Sequence, residues 1–324
     1  MKKKEWRNIL VVLVLVAALV LVKELKLVST SNLLILQYIG IYSILVLGIN
    51  IVNGYLGIFS LAHAGFMAVG AYAAALSTRY LFTSQWMFPL ALLVGGLASL
   101  CVGLLVAIPS FKSKGDYLAI ITLGFSLMIQ SIFMNAEFVG ASRGMNNIAI
   151  YTNIYWVYGV LFVMIQVVMR FVNSKYGRNL KAIREDQVAT ELVSVNVRQA
   201  KTIAFALSAF LAGIAGALMC HLLGYTSPSS YGYNNIIDGL VMVYIGGVGS
   251  ITGSIAGALL WQIIIQTLKD LGTWRWVVGG LLLCVVMIFM PNGIFGYQEI
   301  GTAVRGLFAR LTKKHAKEDV THGE

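Results

Sequence analysis

Charge is scarce in this 324-residue chain: 11% of its residues are Asp, Glu, Lys or Arg, against 58% hydrophobic. So few charges cannot cover a water-soluble surface around that much apolar side chain, which excludes an ordinary soluble globule. Histidine and proline occur four times each and cysteine three times. Cys101, Cys220 and Cys284 each sit in an apolar run without CxxC spacing, so neither a disulfide framework nor a zinc site is indicated, and all three are read as packing residues. Nucleotide-binding and catalytic motifs are missing too. There is no GxxxxGK[ST] loop to cradle phosphates, no HExxH, no GxSxG and no paired carboxylates within an apolar run. Intrinsic ATPase and intramembrane hydrolase activities are therefore disfavoured, and the lack of several buried acids weakens a proton-coupled carrier, which needs titratable groups along its path. The chain is read as a non-enzyme with no cofactor and no metal site of its own.

What the chain does have is long apolar runs. A spanning helix needs about 20 apolar residues, and such runs cover 6–22, 33–52, 57–78, 86–108, 117–135, 154–172, 202–223 and 274–290, with a longer one over 236–268. That last run is too long for one crossing and short for two. A helix, a glycine-rich break at Gly246 to Gly249 and a second helix are expected, the break being buried in protein or lining a cavity. Lys2, Lys3, Lys4 and Arg7 before the apolar run resemble a signal peptide in outline, but Lys23 and Glu24 follow it in place of an A-x-A site, so a retained first helix is expected. The net charge of +11 comes from basic clusters at 2–7, 174–201 and 305–317 that flank apolar runs, the positive-inside pattern of a membrane protein and not a nucleic-acid surface. With both termini cytoplasmic, ten crossings place Lys112, Lys114, the 174–201 loop and the C-terminal tail on one side. The predicted fold is an all-α polytopic membrane protein of about ten crossings, or eight plus two re-entrant segments. It divides into a basic tail and first helix (1–31), a core (32–296) with a cytoplasmic loop at 174–201, and a basic tail (297–324).

Small residues recur at helical spacing in Gly249, Gly253 and Gly257, in Ser60, Ala64 and Ala68, and in Gly95, Ser99 and Gly103, rows that let helix backbones approach closely. Two interrupted, glycine-rich segments, 54–72 and 239–258, occupy comparable places in the two halves, which points to an internal inverted repeat and a midplane path. Polar residues inside apolar runs are the candidates for that path. His63, one turn after Ser60, either bonds a substrate or ties two helices. Asn50 and Asn53 either offer amides at a break or belong to the turn that Asn53-Gly54 signals. Asp116 is placed to cap a helix. Asp238 lies either at headgroup level or in a pore. The path candidates are Asn53, Ser60, His63, Asp238, Gly246, Gly247 and Ser250, with exposed backbone at the breaks meeting a zwitterion.

The segment 174–201 is polar in an apolar chain, with Lys175, Arg178, Lys181, Arg184, Arg198 and Lys201 beside Glu185, Asp186 and Glu191. Leu180, Ile183, Gln187 and Thr190 recur at steps of three and four, as on a short surface helix. It is either a solvated loop obeying the positive-inside rule or a helix on which a soluble partner docks.

Several motifs together resemble the M-type membrane subunits of branched-chain amino acid ABC importers. They are the run from Gly54 through Ser60-Leu61-Ala62-His63-Ala64-Gly65-Phe66 to Tyr72, Gly115-Asp116-Tyr117, the stretch from Gly177 to Asp186, Gly246-Gly247-Val248-Gly249-Ser250, and Pro291-Asn292-Gly293-Ile294-Phe295-Gly296. The resemblance covers about 32–296 and departs from the family in two places: Ala62 stands where glycine is usual, and around Gly140 to Met145, where a glycine pair before or near the Ser is usual, only Gly140 and Gly144 are present. It implies an ABC importer permease fold in a bacterial inner membrane. It also implies an H-type permease partner, two cytoplasmic ATPase subunits that bind the ATP, an extracytoplasmic binding protein, and leucine, isoleucine or valine as substrate. The ATPases would engage Gly177, Arg178, Leu180, Ala182, Ile183, Arg184, Glu185 and Asp186. The alternatives are a permease of the same superfamily for urea, amides or a pentose, and an ion-coupled carrier. The Gly-Gly-Ile-Asp-Leu-Ser element usual in sugar-type members is absent.

Overall fold

The computed structural model describes residues 30–82, 84–110, 117–269, 272, 274–289 and 293. The expected first helix at 6–22, both terminal basic clusters, Lys112, Lys114, Gly115 and Asp116, and the 291–296 motif except Gly293 lie outside the described residues.

In a bilayer every backbone N–H and C=O must be satisfied without water, and the apolar runs accordingly fold as helices. α1 spans Thr30–Ile49 and continues into a wider π-helical turn, Asn50–Tyr55. Then come α2 (His63–Tyr80), α3 (Phe88–Ser110), α4 (Tyr117–Asn135) and α5 (Ile154–Asn173). Two short surface helices, α6 (Lys175–Glu185) and α7 (Gln187–Leu192), precede α8 (Val197–Leu223), α9 (Tyr233–Gly246), α10 (Ile251–Thr267) and α11 (Trp274–Phe289). Five described segments, 32–55, 85–108, 117–135, 154–173 and 197–223, are long and apolar enough to cross a membrane. The chain is a multi-pass membrane protein.

Two expected runs shift. The one at 57–78 loses its start, because 56–62 is non-helical and α2 begins only at His63. The one at 202–223 gains a turn and more, because the Asn196 side chain accepts the Gln199 N–H and starts α8 at Val197. The 236–268 run breaks where expected: α9 ends at Gly246, Gly247 and Gly249 adopt φ of 129° and 83°, and Ser250 caps α10 by accepting the Gly253 N–H.

Helices in lipid associate through close packing. α8 is the hub, touching α1, α2 and α3 along its length. A Cβ on Gly70 would lie 2.2 Å from the Gly213 oxygen, one on Gly216 2.0 Å from the Met67 oxygen, and one on Gly95 2.7 Å from the Gly70 oxygen. Backbone therefore meets backbone where α2, α3 and α8 cross, and Ser99 of the predicted Gly95-Ser99-Gly103 row donates to the Phe66 carbonyl at 2.7 Å. The Gly253-Gly257 row works likewise against α9, since a Cβ on Gly257 would lie 2.0 Å from the Met242 oxygen. Of the cysteines only Cys220 is buried. Cys101 and Cys284 are exposed on outward apolar faces, as are Leu97, Leu105, Leu281 and Ile288, so the packing role holds for Cys220 alone.

The helices α1 to α4 and α8 to α11 share one contact scheme. α2 packs on α8 and α9 on α1; α3 packs on α2 and α8, and α10 on α9 and α1; α4 packs on α2 and α11 on α9. This scheme matches the loop before α2 with 224–232, the loop before α9. The glycine-rich segment 239–258 corresponds instead to a later position, and the two halves match in packing without sharing an obvious residue pattern.

Candidate functional site

The loop 56–62 carries backbone donors into an apolar bundle, and side chains from neighbouring elements take them. Asn53 Oδ1 accepts the Ser60 N–H at 3.1 Å, Thr122 Oγ1 accepts the Leu61 N–H at 3.0 Å, and Ser126 Oγ accepts the Gly65 N–H at 2.9 Å. Asn53, expected on the path, is thus a brace for the loop that presents Ser60 and His63.

The Nε2 of His63 lies 2.5 Å from Ser208 Oγ, and Ser208 donates its only proton to the Gly48 carbonyl at 2.7 Å. Nε2 must therefore be the donor to Ser208, which leaves Nδ1 as an acceptor. Among the described residues, His63 Nδ1, Ser60 Oγ and Asn235 Oδ1 have no hydrogen-bond partner although all three atoms are buried. The three residues line one cavity of about 10 Å³, closed by Leu45, Ile49, Leu61, Ala64, Ile236 and Leu240. It has room for about one water. Ser208 sits about 16 Å along α8, a helix about 40 Å long at 1.5 Å per residue, so the cavity lies near mid-depth.

Gly246, Gly247 and Ser250 do not line this cavity. They form a second break at the other end of α9, and Asn50 fastens it to the first. Asn50 Oδ1 accepts the Gly249 N–H at 2.7 Å, while Nδ2 donates to the Ser250 carbonyl at 2.8 Å and to Ser254 Oγ at 2.6 Å. Gly54 closes the joint, since a Cβ there would lie 2.6 Å from the Gly249 nitrogen. On its other side the joint meets the surface helices. Arg184 of α6 donates from Nη1 to the Gly54 carbonyl at 2.6 Å, its aliphatic stem lies against Gly57, and the Lys181 ammonium stands 5.5 Å above the Tyr55 ring.

The family described as the branched-chain amino acid transport system / permease component matches residues 31–291. The chain belongs to this permease family. The high-affinity branched-chain amino acid transport system permease protein LivM of Escherichia coli (strain K12) is 30% identical over 289 residues, covering 78% of this chain and 67% of that protein. The high-affinity branched-chain amino acid transport system permease protein BraD of Pseudomonas aeruginosa is 27% identical over 195 residues, covering 55% of this chain and 63% of its own length. The xylose transport system permease protein XylH of Haemophilus influenzae is 35% identical over 129 residues, covering 37% of this chain and 34% of that protein. No solved structure matches the chain significantly.

The permease's surface helices divide the residues grouped by sequence into two sets. Gly177, Leu180 and Ile183 are buried, Gly177 tightly against the Val172 backbone, and with Arg184 they seat α6 on the bundle. Arg178, Ala182, Glu185 and Asp186 are exposed. Of the expected apolar edge, Gln187 instead starts α7 and faces out. Val188, Leu192 and Val193 are 68%, 82% and 71% exposed, an apolar patch on an otherwise polar segment.

Asp238 is held by a partner within the protein. It is buried between α9 and α10, accepts from Trp261 Nε1 at 3.0 Å, and does not line the cavity. Trp261→Phe removes that donor from a buried carboxylate, and the solubilised permease is expected to lose about 1–3 kcal/mol of stability, read as a lower midpoint in thermal unfolding. An unchanged midpoint would deny the bond a structural role. Asn235 and Ser208 escaped sequence reading. Asn235 stands just before the apolar run 236–268, and Ser208 is one hydroxyl in a long apolar helix, with only its distance from His63 to mark it.

Proposed function

We propose that this permease carries leucine, isoleucine or valine across a bacterial inner membrane by alternating access, with ATP bound and hydrolysed on partner subunits. It would cross the membrane ten times with both termini cytoplasmic and pair with an H-type permease. Two ATPases would dock on the exposed face of α6 and α7, and an extracytoplasmic binding protein would deliver substrate. The observation that carries this reading is the continuous chain of contacts from Arg184 to Gly54, and from the first break through Asn50 to Gly249, Ser250 and Ser254. A push on α6 reaches both broken segments through it, as rigid-body switching requires. The exposed Val188, Leu192 and Val193 support a protein partner on that face. The similarity to a xylose permease favours a sugar as the second reading. The aliphatic wall of the cavity speaks for an amino acid with an aliphatic side chain.

The test is uptake of labelled leucine by proteoliposomes holding the permease with its candidate partners, binding protein outside and ATP inside. Uptake is expected to require ATP and to fall at least about tenfold in Arg184→Ala/Glu185→Ala complexes of confirmed assembly, equivalent to about 1.4 kcal/mol. ATP-driven uptake of a sugar or urea in place of leucine would overturn the substrate, and uptake driven by an ion gradient alone would overturn the class.

A further inference from the structure

The mid-depth cavity has a chemical bias that goes beyond a generic path. Its three unpartnered polar atoms come from two parts of the chain that meet only on folding: Ser60 in the loop before α2 with His63 at the start of α2, and Asn235 in the first turn of α9. His63 Nδ1 and Asn235 Oδ1 can only accept, and Ser60 Oγ can accept. No Lys or Arg lines the cavity. An ammonium group supplies three N–H donors, one for each acceptor, and a buried acceptor left without a donor is costly. Leu45, Ile49, Ile236 and Leu240 provide an aliphatic wall beside these atoms.

We infer that the cavity is the closed form of a site that takes the ammonium end of a small aliphatic amino acid, held by Ser60, His63 and Asn235. The inference rests on the permease reading above and adds which end of the substrate is recognised and by which atoms. At about 10 Å³ the site cannot hold an amino acid as it stands. It opens when the N-terminal ends of α2 and α9 separate, and alternating access supplies that motion. Ser208 is a positioning residue here, because by accepting from Nε2 it fixes the tautomer that leaves Nδ1 free to accept.

The experiment measures the maximal rate of ATP-driven leucine uptake per assembled complex, at saturating binding protein. His63→Gln keeps an amide N–H where Nε2–H reaches Ser208 but removes the Nδ1 acceptor; Asn235→Leu removes the second acceptor from a different helix. Both are expected to lower the maximal rate at least about tenfold, while Asn235→Asp, which restores acceptors, recovers most of what Asn235→Leu loses. A wild-type rate in either of the first two variants overturns the assignment. So does an Asn235→Asp rate as low as that of Asn235→Leu, which would mark the position as packing. Failure of the permease reading is separate, because the wild-type complex itself would then show no ATP-driven leucine uptake.

Discussion

Gly70→Leu is expected to leave no assembled permease. A Cβ at Gly70 would already stand 2.2 Å from the Gly213 carbonyl oxygen and 2.3 Å from the Gly213 Cα, and both are backbone atoms that cannot rotate away. The atoms beyond Cβ have nowhere to go, since Gly95 and Gly216 bring α3 and the rest of α8 equally close to α2. Overpacking a core commonly costs about 1–3 kcal/mol when side chains can yield, and here the yielding partner would be a helix axis. Gly70→Ala is accordingly expected to lower the thermal midpoint markedly, and Gly70→Leu to abolish a monodisperse peak in size-exclusion chromatography of solubilised protein. Gly124 is the matched control. It also lies within a helix, but a Cβ there meets nothing within 4 Å, so Gly124→Ala should be neutral or stabilise by up to about 1 kcal/mol. A normal peak from Gly70→Leu would show that α2 and α8 do not cross at this point.

The second large effect is expected from Asn50→Leu. This one side chain makes three hydrogen bonds to the far break, to the Gly249 N–H, the Ser250 carbonyl and Ser254 Oγ. Leucine matches its size but breaks all three bonds and leaves the partly buried Gly249 N–H unpaired, at about 1–3 kcal/mol for that group, while the Ser250 carbonyl keeps the Ser254 N–H and hydroxyl as donors. The two breaks would then move independently, so leucine uptake is expected to fall at least about a hundredfold, by the same arithmetic of about 1.4 kcal/mol per factor of ten. Ser254→Ala, which removes one bond of the three, should cost far less. Equal losses in Asn50→Leu and Ser254→Ala would move the importance from the joint to the Ser254 hydroxyl. Normal uptake in Asn50→Leu would mean that the breaks are not coupled through this side chain.

The loop between α4 and α5 shows why some local signals were legible and their purpose was not. Gly140 and Gly144 stand where the family pattern has a glycine pair before or near the Ser. In the structure Gly144, at φ 75°, lets Met145 pair with Thr226 through two backbone hydrogen bonds of 2.8 and 3.0 Å, a contact between residues 81 positions apart that no local pattern encodes. Asn53 and Asn50 were likewise visible beside Gly54 as turn chemistry. One braces its own loop and the other fastens a break two hundred residues away, and nothing in the two side chains distinguishes them.

By itself the sequence determined the class of molecule. Burying so much apolar side chain under so few charges requires a bilayer, and a bilayer permits only helices here, so the positions of most spanning segments and of the break at Gly246 to Gly249 follow from hydropathy and glycine alone. The tertiary structure decided which polar residues form the site. Helix packing in lipid is set by backbone approach at glycines and by paired polar groups, and both are relations between distant segments. Only folding brings Asn235 to His63, moves Gly246, Gly247 and Ser250 away to the other break, and sets Arg184 against Gly54.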